Sequence, residues 1–251
     1  MTLCLPAPNL EEVLRYAGCG AMTDAHLRAC AWQAASQIQA IAAPRAVFLC
    51  DTPLDDMTLS QTGVTLQGAQ IRAHLAGCSR CILLAVTLGA AVDACIRRAQ
   101  VVDVLQAVLL DAAASAAIEQ ACEVAQTQAL QRENDFFATT RFSPGYGDFP
   151  LAHQADFVRL LDAQRRIGMT TTAFNVLTPR KSITAVIGLS HFPSAHAPHC
   201  AQCNRQSTCP YRKEGVPCDA SRNTDATRMA SPGRRHGDDA RTGGPPPGRT
   251  P

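Results

Sequence analysis

The sequence predicts an α+β fold: a helical N-terminal half, a small, mainly antiparallel sheet and a disordered C-terminal tail. Three observations predict it. The first 132 residues carry apolar positions at helical spacing and an Ala-rich stretch of high helix propensity. Short apolar runs rich in Val, Ile or Thr, punctuated by Gly or Pro, interrupt them and recur near residue 180. From Ala220 to Pro251, Arg, Gly, Pro, Asp and Thr replace nearly all apolar residues, so no core can form there.

The elements follow in order. Asn9 with Glu12 three residues on resembles a capping box, and Leu10, Val13, Leu14 and Ala17 follow helical spacing up to Gly18 and Gly20. A longer helix is expected from Thr23 to Ala42, stopped by Pro44. Arg45–Cys50 reads as a short buried strand, Met57–Leu66 as a second, loosely alternating one, and Ala69–Leu75 as helix. Cys81–Thr87, bounded by Gly77 and Gly89, reads as a buried strand, followed by helix from Ala90 to Arg98. Val101 to about Arg132 is the longest helix, with Leu105, Leu109, Ala112, Ala113 and Ala116 as its apolar face. His153–Ile167 reads as helix ending at Gly168. Thr170–Leu177 and Ser182–Leu189 read as an antiparallel strand pair joined through Pro179-Arg180.

Composition narrows the function classes. The net charge is +2: residues 1–199 hold 14 basic and 16 acidic residues, residues 200–251 hold 9 and 5. A field this weak gives no reason to expect a nucleic-acid partner. No apolar run reaches the ~18 residues of a membrane span, and Met1–Pro8 has no signal-peptide pattern. The expectation is a cytoplasmic chain, away from membranes, whose twelve cysteines are reduced. Most of those before residue 130 sit among Ala and Leu and read as small core hydrophobes, and the Cys78-x2-Cys81 pair reads as structural burial in preference to metal ligation. His74, His153, His191 and His196 form no triad or metal motif and read as surface or loop histidines.

Two constellations can carry chemistry. In Arg141-Phe-Ser-Pro-Gly-Tyr-Gly147, Pro144 stiffens the backbone, while Gly145 and Gly147 allow close approach to the main chain. Arg141 offers a fork for a carboxylate and Tyr146 a ring face for a cation. Together these suit a zwitterionic sulfonium nucleoside, although on residue types alone a rigid connecting turn is the simpler reading. The other constellation is Cys200-x2-Cys203-x5-Cys209-x8-Cys218, with His199 able to replace one thiolate. Four sulfurs suit zinc or an iron–sulfur cluster, and free thiols in a flexible tail are the plain alternative.

The stretch RFSPGYGDFPLAHQADFVRLLDAQRRIGMT, followed by LTPRKSITAVIG, resembles the reactivation domain of cobalamin-dependent methionine synthase. The matching positions are Arg141, Pro144, Gly145, Tyr146, Gly168, Pro179 and Ser182. The upstream segment LLAVTLGAAVDACIRRAQVVDVLQAVLLDAAASAAIEQACE is similar to the short stand-alone form. The resemblance spans roughly residues 75–192 and implies an activation-like domain over 1–192, then a Cys-rich segment over 193–219 and the tail over 220–251.

That resemblance implies binding of S-adenosylmethionine and reductive methylation of cob(II)alamin carried by a separate corrinoid protein, a methionine synthase subunit among the candidates. An electron donor is implied as well. The chain has no folate, homocysteine or cobalamin module, so it would act in trans. Arg141 would meet the methionine carboxylate, and Pro144, Gly145 and Tyr146 would line the nucleoside site. Glu119 would favour the sulfonium, with a solvated helix face as its alternative; Asp111 is a weaker candidate of the same kind. The family's tyrosine pair on a later strand has no counterpart, since only Tyr16, Tyr146 and Tyr211 are present. A cysteine-ligated electron-transfer module and a zinc-stabilised interaction module are the rival classes.

Overall fold

The computed structural model describes residues 1–19, 24–133 and 136–192. Its elements are α1 (Leu10–Tyr16), α2 (Ala25–Ile41), β1 (Arg45–Asp51), α3 (Ala69–His74), β2 (Arg80–Thr87), α4 (Ala90–Val102) and α5 (Val104–Leu130). These are followed by β3 (Phe137–Ala138), α6 (His153–Leu160), α7 (Ala163–Ile167), β4 (Thr170–Thr171), β5 (Leu177–Thr178) and β6 (Ser182–Ser190). The α+β class and the antiparallel sheet are as predicted.

The main sheet has the order β1-β2-β6-β3, every pair antiparallel. Its residues alternate between two cores, as the pleat requires. Ile82, Leu84 and Val86 of β2, with Ile187 and Leu189 of β6, face a layer built by α1, α2, α4 and α5. Cys81, Leu83 and Ala85, with Val47 and Val186, face a second layer containing Ile71, Phe142, Phe149, Phe157 and Ile167. The central strand β2 is buried almost end to end, which explains its unbroken apolar run.

Helix α5 is the pillar of the first layer. Nine of its thirteen buried residues are alanine. Such short side chains let α1, α2 and α4 approach closely, and the high intrinsic propensity of Ala sustains 27 residues of helix. By length and composition α5 could cross a membrane. Here it is the core helix. Its start is later than the pattern suggested. Asp103 adopts an extended conformation, ends α4 and caps α5 by accepting from Gln106 N at 3.1 Å. Leu105 then lies half-exposed instead of on the apolar face.

Four further expectations are corrected. Met57–Leu66 makes only isolated bridges, Pro53 with Leu59 and Thr58 with Thr65. The segment is organised instead by buried Asp51, whose carboxylate accepts from Thr52 N, Ser60 Oγ, Gln61 N and Thr62 N. The helix over 153–167 is broken into α6 and α7 by Asp162, which takes a left-handed conformation. Thr170–Leu177 does not pair with β6: β4 and β5 form their own two-residue ladder, and β6 pairs with β2 because its apolar run matches the central strand. His74 and His153 are buried in α3 and α6, not on the surface. Of the eight cysteines before residue 130, Cys81, Cys95 and Cys122 are buried as expected, whereas Cys19, Cys30, Cys50 and Cys78 are half-buried and Cys4 is exposed. The cysteine segment and the tail lie outside the described residues.

Candidate functional site

The site begins where the chain runs beside β6. Thr139 N donates to Gly188 O, and Phe142 and Val186 exchange both backbone hydrogen bonds at 2.9 and 2.8 Å. The chain then leaves the sheet, so β6 from Ser182 to Ala185 has no strand on that side among the described residues.

Extended backbone sends neighbouring side chains to opposite faces. Phe142 enters the second core. Arg141 turns to α5, where its guanidinium donates to Gln126 Oε1 at 2.8 Å and to Glu119 Oε2 at 3.3 Å. Both partners of the ion pair are largely enclosed, with side-chain exposures of 15% for Arg141 and 23% for Glu119. The structure thus brings together two residues that the sequence singled out separately. Gln126, missed in the sequence, sits two helical turns beyond Glu119 on the same face of α5.

The bend that follows is exposed from Gly145 to Asp148, while Pro144 is buried. Tyr146 is 59% exposed and stands edge-on to Phe142, ring centroids 6.2 Å apart. It therefore packs on the second layer's rim, whereas Arg141 faces the helical layer. The bend uses several of its own amides: Gly145 N donates to Phe149 O, Tyr146 N to Ser143 O, and Phe149 N to Tyr146 O. Those three amides are consequently spent on the turn and not available to a ligand.

Gly147 also has a different reason from the expected one. Its φ is +54°, and a Cβ there would lie 1.8 Å from Gln70 Oε1. The close approach is to the protein's own α3. Gly145, at φ +95°, meets only Leu151 Cδ1 at 3.1 Å and keeps its outer side open. Asp148 locks the bend to α3 by accepting from Ala69 N at 2.6 Å and Gln70 N at 3.0 Å. The amides of Gln70 and Ala69 hold its carboxyl below the usual carboxylate value.

One turn of α5 before Glu119, Lys181 makes a second polar junction. Its Nζ reaches Asp111 Oδ1 at 2.9 Å, Ser115 Oγ at 2.9 Å and Asp111 O at 3.1 Å. Asp111 is thereby paired, and the start of β6 is stitched to α5. Among the described residues, Lys181 is the one lysine, the signal that could have marked it. Beyond Asp111 a cleft of about 340 Å3 opens at the N-terminal end of α5, lined by Tyr16, Gln100, Val104, Val108 and Asp111 among others. A second crevice, between Pro6 and Ala117, holds only about 10 Å3. Neither is lined by the bend, Arg141 or Glu119.

Cys200, Cys203, Cys209 and Cys218 lie outside the described residues. Among the described residues no group of three or more His, Cys, Asp or Glu is placed to hold a metal.

No protein-family model and no curated protein matches the chain. A solved structure does: the crystal structure of the MetH reactivation domain bound to AdoHcy. The two share a TM-score of 0.51 and 18% sequence identity, over 76% of this chain and 72% of that one. The chain has a methionine synthase reactivation-domain fold. In this reactivation-domain fold the Arg141–Glu119 pair spans from the strand edge to the central helix α5, and the bend carrying Tyr146 connects that edge to α3.

Proposed function

We propose that this chain binds S-adenosylmethionine beside the Arg141–Glu119 pair, where the edge of β6 meets α5, and serves as a stand-alone reactivation subunit. It would support reductive methylation of cob(II)alamin on a separate corrinoid protein, a methionine synthase subunit or another, with an electron donor. That is a methyltransferase-associated role performed in trans, in the cytoplasm.

The observation that carries the reading is the meeting of Arg141 and Glu119 at an open strand edge. A guanidinium fork suits the ligand's carboxylate, and a carboxylate within reach suits its positive groups. Both charges are held ready by protein partners, so a zwitterion can exchange for them without leaving either charge bare. Support also comes from the fold neighbour, whose AdoHcy is what S-adenosylmethionine becomes after giving up its methyl group. The ligand supplies the methyl; this chain's residues would bind and orient it, and positioning rather than proton transfer would be their contribution. The C-terminal cysteines would add zinc or an iron–sulfur cluster, which metal and sulfide analysis of anaerobically purified protein identifies.

The test is a methylation assay. The full chain is combined with a cob(II)alamin-loaded corrinoid protein, a one-electron reductant and S-adenosylmethionine. Methylcobalamin should form only when the chain and S-adenosylmethionine are both present. Equal formation without the chain would refute the role.

A further inference from the structure

We infer that α3 is a two-point clasp on the segment carrying Arg141, and that His74 is a positioning residue for ligand binding there. This rests on the function proposed above and names what holds the guanidinium in place.

Both ends of the segment are fastened to this one short helix. At the far end Asp148 accepts from Ala69 N at 2.6 Å and Gln70 N at 3.0 Å, and Gly147 lies against the Gln70 side chain. At the near end buried His74 reaches Thr140 O at 3.0 Å and Thr139 Oγ1 at 2.8 Å through the same Nε2. A carbonyl oxygen only accepts, so Nε2 carries the proton and donates it. Thr139 Oγ1 in turn accepts from Gly188 N at 2.8 Å, which joins α3 to β6 through one hydroxyl. The His74 ring also packs on Phe142, centroids 5.0 Å apart.

The result is a closed loop. Gln70 and His74 stand about one helical turn apart, a rise of about 6 Å, and share a face of α3. Fully extended, the chain from Thr140 to Asp148 could span roughly 26 Å. Arg141 and Tyr146 both lie inside this loop, and the Arg141 guanidinium has to meet Gln126 and Glu119 on α5. With one end released, the segment gains conformational freedom that ligand binding must then remove. His74 acts through Thr139 and Thr140, directly before Arg141, and not by contact with the ligand.

The experiment compares the full chain with two variants. His74→Phe keeps a ring beside Phe142 and loses the donor; His74→Gln loses the ring and keeps a donor. Amide hydrogen exchange without ligand reads the clasp, and calorimetric titration with S-adenosylmethionine reads its consequence. In His74→Phe the amides of Thr139, Phe142 and Gly188 should exchange at least tenfold faster, with those of the β1–β2 ladder unchanged within twofold. S-adenosylmethionine affinity should fall at least fivefold. His74→Gln should bring both back to within threefold of the wild type. Unchanged exchange in His74→Phe, equal acceleration across the β1–β2 ladder, no recovery in His74→Gln, or full affinity despite faster exchange would overturn the inference. Local acceleration that His74→Gln reverses, in a chain that binds no S-adenosylmethionine, would support the clasp and remove the donor-site proposal.

Discussion

The Arg141 guanidinium lies 3.3 Å from the Glu119 carboxylate, across 22 residues of sequence, and ties the sheet edge to the central helix. Gln126 accepts from the same guanidinium at 2.8 Å, so Arg141 is held from two points of one helix face.

Glu119→Gln keeps the shape of the side chain and removes its charge. Arg141 retains Gln126 but loses its charged partner in a largely enclosed setting. Urea unfolding should show a loss of about 1.5–3 kcal/mol, the range for a hydrogen bond to a charged group. The same variant should weaken S-adenosylmethionine binding more than AdoHcy binding, since only the former carries the sulfonium charge. Equal weakening of both would argue against a charge role for Glu119.

Gly147→Ala should destabilise the bend. The new methyl meets Gln70 Oε1, and φ +54° is unfavourable for a residue with a Cβ. Together these should cost on the order of 1–3 kcal/mol in thermal or urea unfolding. Adding Gln70→Ala should recover the steric part and leave the backbone part. No recovery would mean that the side-chain contact is not the cause.

Asp148 predicts an acid sensitivity. Its carboxyl titrates below the usual 3.8 because the amides of Gln70 and Ala69 favour the ionised form. A depressed folded value means the contribution is present above pH 3.8 and is lost as pH falls through the folded value. Stability measured from pH 5 down to pH 2.5 should fall less steeply in Asp148→Asn than in the wild type. Parallel curves would contradict the capping role.

Burial predicts which thiols stay inert. Burial, followed by the nearby Glu133, pushes the Cys50 thiol up to about 11, and burial drives Cys81 higher still. Both should remain protonated and unlabelled by iodoacetamide at pH 8, while exposed Cys4 reacts. Mass spectrometry of native and urea-unfolded protein reads the difference. Labelling of Cys81 in the native protein at the rate of Cys4 would refute its burial.

Local chemistry made much of this fold legible. The Asn9 cap, the Cys81–Thr87 run and the Ala-rich helix each carry their signal within one element. What was not legible depends on tertiary partners. β6 pairs with β2, 95 residues upstream at Thr87–Ser182, so its neighbour could not be read from adjacent Thr170–Leu177. The left-handed Asp162 that splits the helix before Gly168 has no Gly or Pro to announce it. In the site, Arg141 and Glu119 were each visible, but their pairing was not. Gly147 looked like room for a ligand and turned out to be room for Gln70, a side chain 77 positions away.

The most direct measurement is calorimetric titration of the intact chain with S-adenosylmethionine, beside Arg141→Ala and Arg141→Lys. Saturable binding by the wild type is expected, with affinity reduced at least tenfold in Arg141→Ala and only partly restored by lysine, which lacks the planar fork. A wild type that releases no heat and gives no saturable binding, or an Arg141→Ala variant that binds as tightly as the wild type, would contradict the assignment of the Arg141–Glu119 site to a methylsulfonium donor.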